Sequence, residues 1–175
     1  MPPDKLPAVL TALVTGLMIA SLGPVNGALQ LRTGLWPMLT VVHLLGLSIA
    51  LIGVLSRPGG LPGADALRPI LSGVLVLMLV LLGVIGRPLL AQGVPAYALL
   101  GGALGLLVVL GTVQAISGLG VLTALLLVIL AELLGATLID TLGLLGRPRL
   151  PLDLTRVVGI LLVLAGALLT LRRAL

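Results

Sequence analysis

Glu132 is the side chain in this sequence whose type and position most clearly call for chemistry, because it interrupts the apolar run of residues 119–140. An ionised carboxylate held at the centre of a bilayer costs several kcal/mol, so such a residue faces a cavity or a partner group and marks a solute or proton path. The plainer alternative is a neutral carboxyl hydrogen-bonded between helices. Asp140 follows eight positions later, roughly 12 Å along a helix that rises 1.5 Å per residue. That separation is too long for a shared-proton dyad or a glycosidase-like pair. Near the membrane surface Asp140 suits an ion pair with Arg147, Arg149 or Arg156, or a second station on the same path. With Ala136 and Gly143 the two carboxylates share one small-residue stripe.

Amides supply the other polar chemistry. Gly16, Ala20, Gly23, Gly27 and Gln30 recur on one helical face, and Gly23 with Gly27 forms a GxxxG pair that suits a close-packing seam or, alternatively, a substrate wall. Pro24 removes a backbone hydrogen bond inside the same segment, with Asn26 and Gln30 one turn apart just beyond it. Such a break is tolerated at membrane depth only where protein or water satisfies the freed groups. His43 falls mid-span and reads as a hydrogen-bonding packing residue or as a proton relay to Glu132. Gly101, Gly102, Gly105 and Gly111 read as close-packing positions and not as a phosphate loop, which needs a strand, loop and helix. Gln114 is a weaker polar candidate at the end of its span.

These side chains must be held by membrane helices. Hydrophobic residues make up 59% of the chain and charged residues 9%, with a mean hydropathy of +1.35, more apolar surface than a soluble domain of this length buries. A span needs about 20 apolar residues, which places six helices near residues 6–31, 35–55, 70–85, 95–115, 119–142 and 157–171 of one transmembrane domain. The third and sixth are short by that yardstick. The apolar N-terminal run outlasts a signal peptide and reads as a retained first helix. Connectors carry Arg57-Pro-Gly-Gly-Leu-Pro-Gly63, Arg87-Pro88 and Gly146-Arg-Pro-Arg-Leu-Pro151. Only Ile116-Ser-Gly-Leu-Gly120 joins the fourth and fifth spans, and it implies a tight hairpin.

The net charge of +5 comes from scattered arginines rather than one basic face, which argues against nucleic acid. Lys5, Arg57, Arg68, Arg172 and Arg173 fall on one side of the membrane, and Arg32, Arg87, Arg147, Arg149 and Arg156 on the other. This balance leaves orientation open under the positive-inside rule. Insertion in both orientations with antiparallel pairing would produce it, as would a miscounted span. Trp36 and Tyr97 stand at the starts of spans, where interface anchors belong. Cysteine is absent and histidine single, which excludes disulfides, thiolate nucleophiles and cysteine or histidine metal clusters. Nothing calls for a cofactor, and no Ser-His-Asp set or close carboxylate pair suggests an enzyme.

Two segments together resemble a known family. Gly23-Pro-Val-Asn-Gly-Ala-Leu-Gln-Leu-Arg-Thr-Gly34 is similar to the first-helix signature of the YdcZ-like half-length exporters of the drug/metabolite transporter superfamily. The second is Glu132-Leu-Leu-Gly-Ala-Thr-Leu-Ile-Asp-Thr-Leu-Gly-Leu-Leu-Gly146 with the closing Leu164-Ala-Gly-Ala-Leu-Leu169. The resemblance covers most of the chain except the third span, and it places Asn26, Gln30, Arg32, Asp140 and Gly143 on family positions. The family pattern has five helices, so residues 70–85 look like an addition, and it usually carries glutamine where Glu132 stands.

The expectation is therefore an all-α integral membrane protein of about six helices, a drug/metabolite-transporter-like half unit plus one helix. The resemblance implies a multi-pass protein of a bacterial inner membrane that acts as a homodimer, the antiparallel arrangement included, and moves small-molecule solutes. Proton-coupled export of small metabolites or drug-like solutes is the reading, with Glu132, Asn26, Gln30, His43 and Asp140 at the solute or proton site. Gly23, Pro24, Gly27, Gly101 and Gly105 would serve packing or a hinge. Two other readings stay open: a non-transporting assembly subunit, and a lipid flippase or scramblase with a lateral polar slot.

Overall fold

In the computed structural model, residues 5–57 and 64–171 are described. Residues 1–4, residues 58–63 of the Arg57–Gly63 connector, and residues 172–175 with Arg172 and Arg173 lie outside the described residues. The fold is all-helical: α1 (Leu6–Thr33), α2 (Leu35–Leu55), α3 (Ala64–Ala91), α4 (Gly101–Leu119), α5 (Val121–Leu142) and α6 (Leu154–Leu171). Short 3-10 turns cover Ala96–Leu100, leading into α4, and Leu144–Gly146, following α5. Five of the helices are long and apolar enough to cross a membrane, and α6 is shorter.

Spans without water must satisfy their own backbone, and their hydroxyls do the same. Thr15 donates to the Thr11 carbonyl and Ser48 to the Leu44 carbonyl, each at 2.7 Å, so both buried side chains are satisfied within their own helices. At the fourth connector one residue suffices. Gly120, with φ of +77°, ends α4 and starts α5, accepting the Ala124 N–H at 3.1 Å. Any side chain there would be strained by the positive φ, so the hairpin depends on glycine.

The third helix corrects the sequence expectation. It runs over 28 residues instead of residues 70–85, taking in Arg68-Pro69 near its start and, near its end, Arg87-Pro88, which reads as a connector signal. The two arginines are 19 positions apart, about 28 Å at 1.5 Å per residue, close to the roughly 30 Å of hydrocarbon in a bilayer. Arg68 donates to the Leu55 carbonyl at the end of α2 at 2.7 Å, and Arg87 is exposed. Most of the apolar face of α3 is also exposed, as suits a helix turned to lipid.

Contacts divide the chain into two compact units, one of Met1–Pro24 with Leu107–Leu175 and the other of Val25–Leu106. The division falls within α1, directly after the helix-internal Pro24, and within α4. In the first unit Ala12, Ala115, Ala124, Leu127 and Val128 form a core from α1, α4 and α5. In the second, Leu29, Met38, Val41, Val94 and Ala98 do so, with Leu82, Ile85 and Leu89 of α3 and Tyr97 packed against them. Trp36 is 76% exposed at the start of α2, as an interface anchor is.

Candidate functional site

The first unit is built on a seam of small residues. A methyl group added at Gly16 would overlap the Val128 carbonyl oxygen and lie 2.7 Å from Ala131 Cβ and 2.8 Å from the Glu132 backbone nitrogen. One turn on, a methyl at Gly135 would lie 3.0 Å from Ala20 Cβ and 3.1 Å from Leu17 Cδ2. Contacts therefore step in the same sense along both helices, and α1 and α5 run parallel. Bare backbone and alanine on both helices permit this approach, as small residues do wherever membrane helices touch. Gly111 of α4 faces the Thr15 hydroxyl equally closely.

Glu132 sits on the flank of this seam near the midpoint of the 22-residue α5, and it is half-buried. Among the described residues its carboxylate has no hydrogen-bond or ion-pair partner. Its neighbours on the helix, Leu133 and Ala136, line clefts, but Glu132 itself does not border those clefts. The seam holds its backbone in place while the side chain is left for something other than this unit's own groups to engage.

Asp140 lies eight positions on, where α5 ends and the chain folds back. Gly143 closes the helix in the left-handed conformation at φ of +66°, which glycine adopts without strain. The return segment then crosses the helix end. Leu150 N–H donates to the Asp140 carbonyl at 2.8 Å, and Arg149 Nε–H donates to the Leu142 carbonyl at 3.2 Å. Asp153 accepts the Arg156 backbone N–H at 2.7 Å and so caps the start of α6. Of the three arginines the sequence offers to Asp140, the fold selects Arg156: its Nη1 is 3.9 Å from Asp140 Oδ2, with the two side chains 45% and 36% exposed. A pair this long and this open is worth less than about 1 kcal/mol.

Asp140 and Ala136 each border two clefts. One, of about 320 Å³, lies between α1 and α5 and is walled by Ala20, Gly23, Pro24, Ile139 and Arg147. The other, of about 370 Å³, lies between α5 and α6. A third, of about 370 Å³, runs between α1 and α4 past Thr11, Thr15 and Gln114.

In the second unit a methyl at Gly101 would overlap Asn26 Oδ1 and lie 3.1 Å from Val42 Cγ2. The Asn26 oxygen is thereby shut off from solvent, and it has no hydrogen-bond partner among the described residues. Gln30 is exposed. His43 lies on the exposed side of α2, its Nδ1–H donating to the Leu39 carbonyl at 2.8 Å. Glu132 and Asp140 thus belong to one unit, and Asn26, Gln30 and His43 to the other. Methyl groups at Gly23, Gly27 or Gly105 would meet no atom within 4 Å among the described residues, so the Cβ directions of these three glycines face open space. Gly23 is instead part of a cleft wall. The small residues of α5 that complete the seam, Ala131 and Gly135, were not singled out in the sequence, although their four-residue spacing is the signal that could have found them.

The family described as "Putative inner membrane exporter, YdcZ" matches residues 7–169. The chain belongs to this family. The matched stretch crosses every helix, α3 included. Comparison with curated proteins gives no match, and comparison with solved structures gives none either. As a YdcZ-family chain with helices long enough to cross a bilayer, it is a multi-pass protein of the inner membrane from a family described as exporters.

Proposed function

We propose that the chain is a proton-coupled exporter of small metabolites or drug-like solutes that works as a dimer. Glu132 carries the reading: a half-buried carboxylate halfway along a membrane helix, without a partner among the described residues. In this state it is suited to take up a proton or a cationic group from one side and to release it to the other. When it holds a proton the residue is neutral, and the cost of a charge at that depth is removed. The cleft between α1 and α5 supports a solute path, since Asp140 and Arg147 border it on one side and the side-chain-free Gly23 and helix-internal Pro24 on the other. A proline there leaves a carbonyl free to accept from a solute or from water.

Dimerisation is supported by the few helices in one chain, since many transporters alternate access between paired repeats. The open faces of Gly23, Gly27 and Gly105 leave room for the helices of a second copy. The test is solute and proton flux in proteoliposomes of the full chain across a panel of solutes, compared with Glu132→Gln. The native chain should move solute against proton, and the variant should lose the pH dependence while keeping its fold. Full retention of that dependence by Glu132→Gln overturns the assignment, and intact biological function of the variant points to an assembly role instead.

A further inference from the structure

We propose that the groove between α5 and α6 holds an anionic phospholipid, its phosphate on Arg156 and one acyl chain laid between the helices. The groove starts at the Arg156–Asp140 pair and runs past Ala136 and Leu133 on α5 and past Ile160 and Val163 on α6. From Asp140 to Leu133 and from Arg156 to Val163 is seven residues on each helix, about 10 Å of depth into the hydrocarbon. Gly159 opens its wall, since a methyl there would meet nothing within 4 Å. The occupant must match an apolar slot below and a charged mouth above. A water-soluble anion satisfies only the mouth, and a plain hydrocarbon tail only the slot.

Charge selects the headgroup. Asp140 and Arg156 are the charged residues of the groove lining; over the whole return segment, residues 140–156, Arg147, Arg149 and Arg156 stand against Asp140 and Asp153, an excess of one positive charge, which a phosphodiester with one negative charge balances. Asp153 is engaged in capping α6. The Asp140–Arg156 distance of 3.9 Å exceeds hydrogen-bond length, so the guanidinium keeps its N–H groups for a phosphate, which it can bind through two parallel bonds. Basic side chains between membrane helices near the interface are suited to such headgroups.

The test uses the full chain, delipidated in detergent and offered equal amounts of dioleoyl phosphatidylglycerol and dioleoyl phosphatidylcholine, with bound lipid counted by native mass spectrometry. The native chain should retain the anionic lipid in about five-fold preference, the size of effect one interfacial basic residue supplies. Arg156→Gln should bring the two lipids to parity. Ile160→Trp, which fills the slot, should lower retention of both. Helix content and monodispersity establish that each variant is folded, and Arg156→Lys, keeping charge without the planar fork, should retain part of the preference if Arg156→Gln does not fold. Equal retention by the native chain overturns the proposal, as does an unchanged preference in folded Arg156→Gln or undiminished retention in Ile160→Trp. Displacement of the anionic lipid by glycerol 3-phosphate alone would show a headgroup site without an acyl slot and also overturns it.

Discussion

Replacing Gly16 with alanine adds one methyl group where α1 meets α5 through backbone. The new carbon would lie 2.7 Å from Ala131 Cβ and 2.8 Å from the Glu132 nitrogen, and it would overlap the Val128 carbonyl oxygen. Ordinary contact between carbons begins at about 3.5 Å, so the helices must part by nearly 1 Å. Neither a backbone atom nor an alanine Cβ can swing aside as a long side chain would. Overpacking of this kind costs about 1–3 kcal/mol, and the gain from replacing glycine in a helix returns about 0.5–1 kcal/mol of it. The net expectation is a loss of about 1–2 kcal/mol, or roughly a 5- to 30-fold fall in the folded-to-unfolded ratio. Unfolding in mixed micelles titrated with a denaturing detergent measures it. Gly83→Ala in α3 is the control, since a methyl there meets nothing within 4 Å and should be neutral or slightly stabilising. Equal stability of Gly16→Ala and Gly83→Ala would refute the seam. Because the displaced atoms include the Glu132 backbone, Gly16→Ala should also lower proton-coupled flux in the refolded protein.

Gly101→Ala should destabilise the second unit by driving a methyl into the Asn26 side chain. Asn26→Ala removes the obstacle, so the double variant should recover most of the loss; a thermodynamic cycle giving purely additive effects would refute the contact. Asp140→Asn should change stability by less than about 1 kcal/mol, because its ion pair with Arg156 is long and solvent-accessible. A loss of several kcal/mol in thermal unfolding would mean that the pair is tighter than the structure has it.

Hydropathy made the helices legible because a span in lipid must be continuous and apolar, and the glycine and proline breaks stand out against so uniform a background. It misread α3, where Arg87-Pro88 looked like a connector and residues 64–69 fell outside the span. Pro69 and Pro88 both lie inside the helix, and a helix that outruns the hydrocarbon can carry charge inside its own limits. The glycines taught a different lesson. Gly16, Gly23, Gly27, Gly101 and Gly105 are equivalent by spacing, yet only Gly16 and Gly101 meet another part of the chain within 4 Å. A GxxxG pattern gives the period along one helix and not which turn of it a neighbour covers. Likewise three arginines lay within reach of Asp140 in sequence. The left-handed turn at Gly143 and the cap at Asp153 bring Arg156 to it, and neither feature has a hydropathy signal.

The arginines near the two ends of α3 make that helix a ruler. With lipid-exposed apolar side chains between Arg68 and Arg87, their separation of about 28 Å sets the slab in which neither guanidinium is pulled into oil. A plasma membrane thickened by sterol to roughly 33 Å would require tilt release, thinning or snorkelling, at a fraction of a kcal/mol for each ångström of mismatch. Expressed in such a membrane, the chain should collect in its thinner regions.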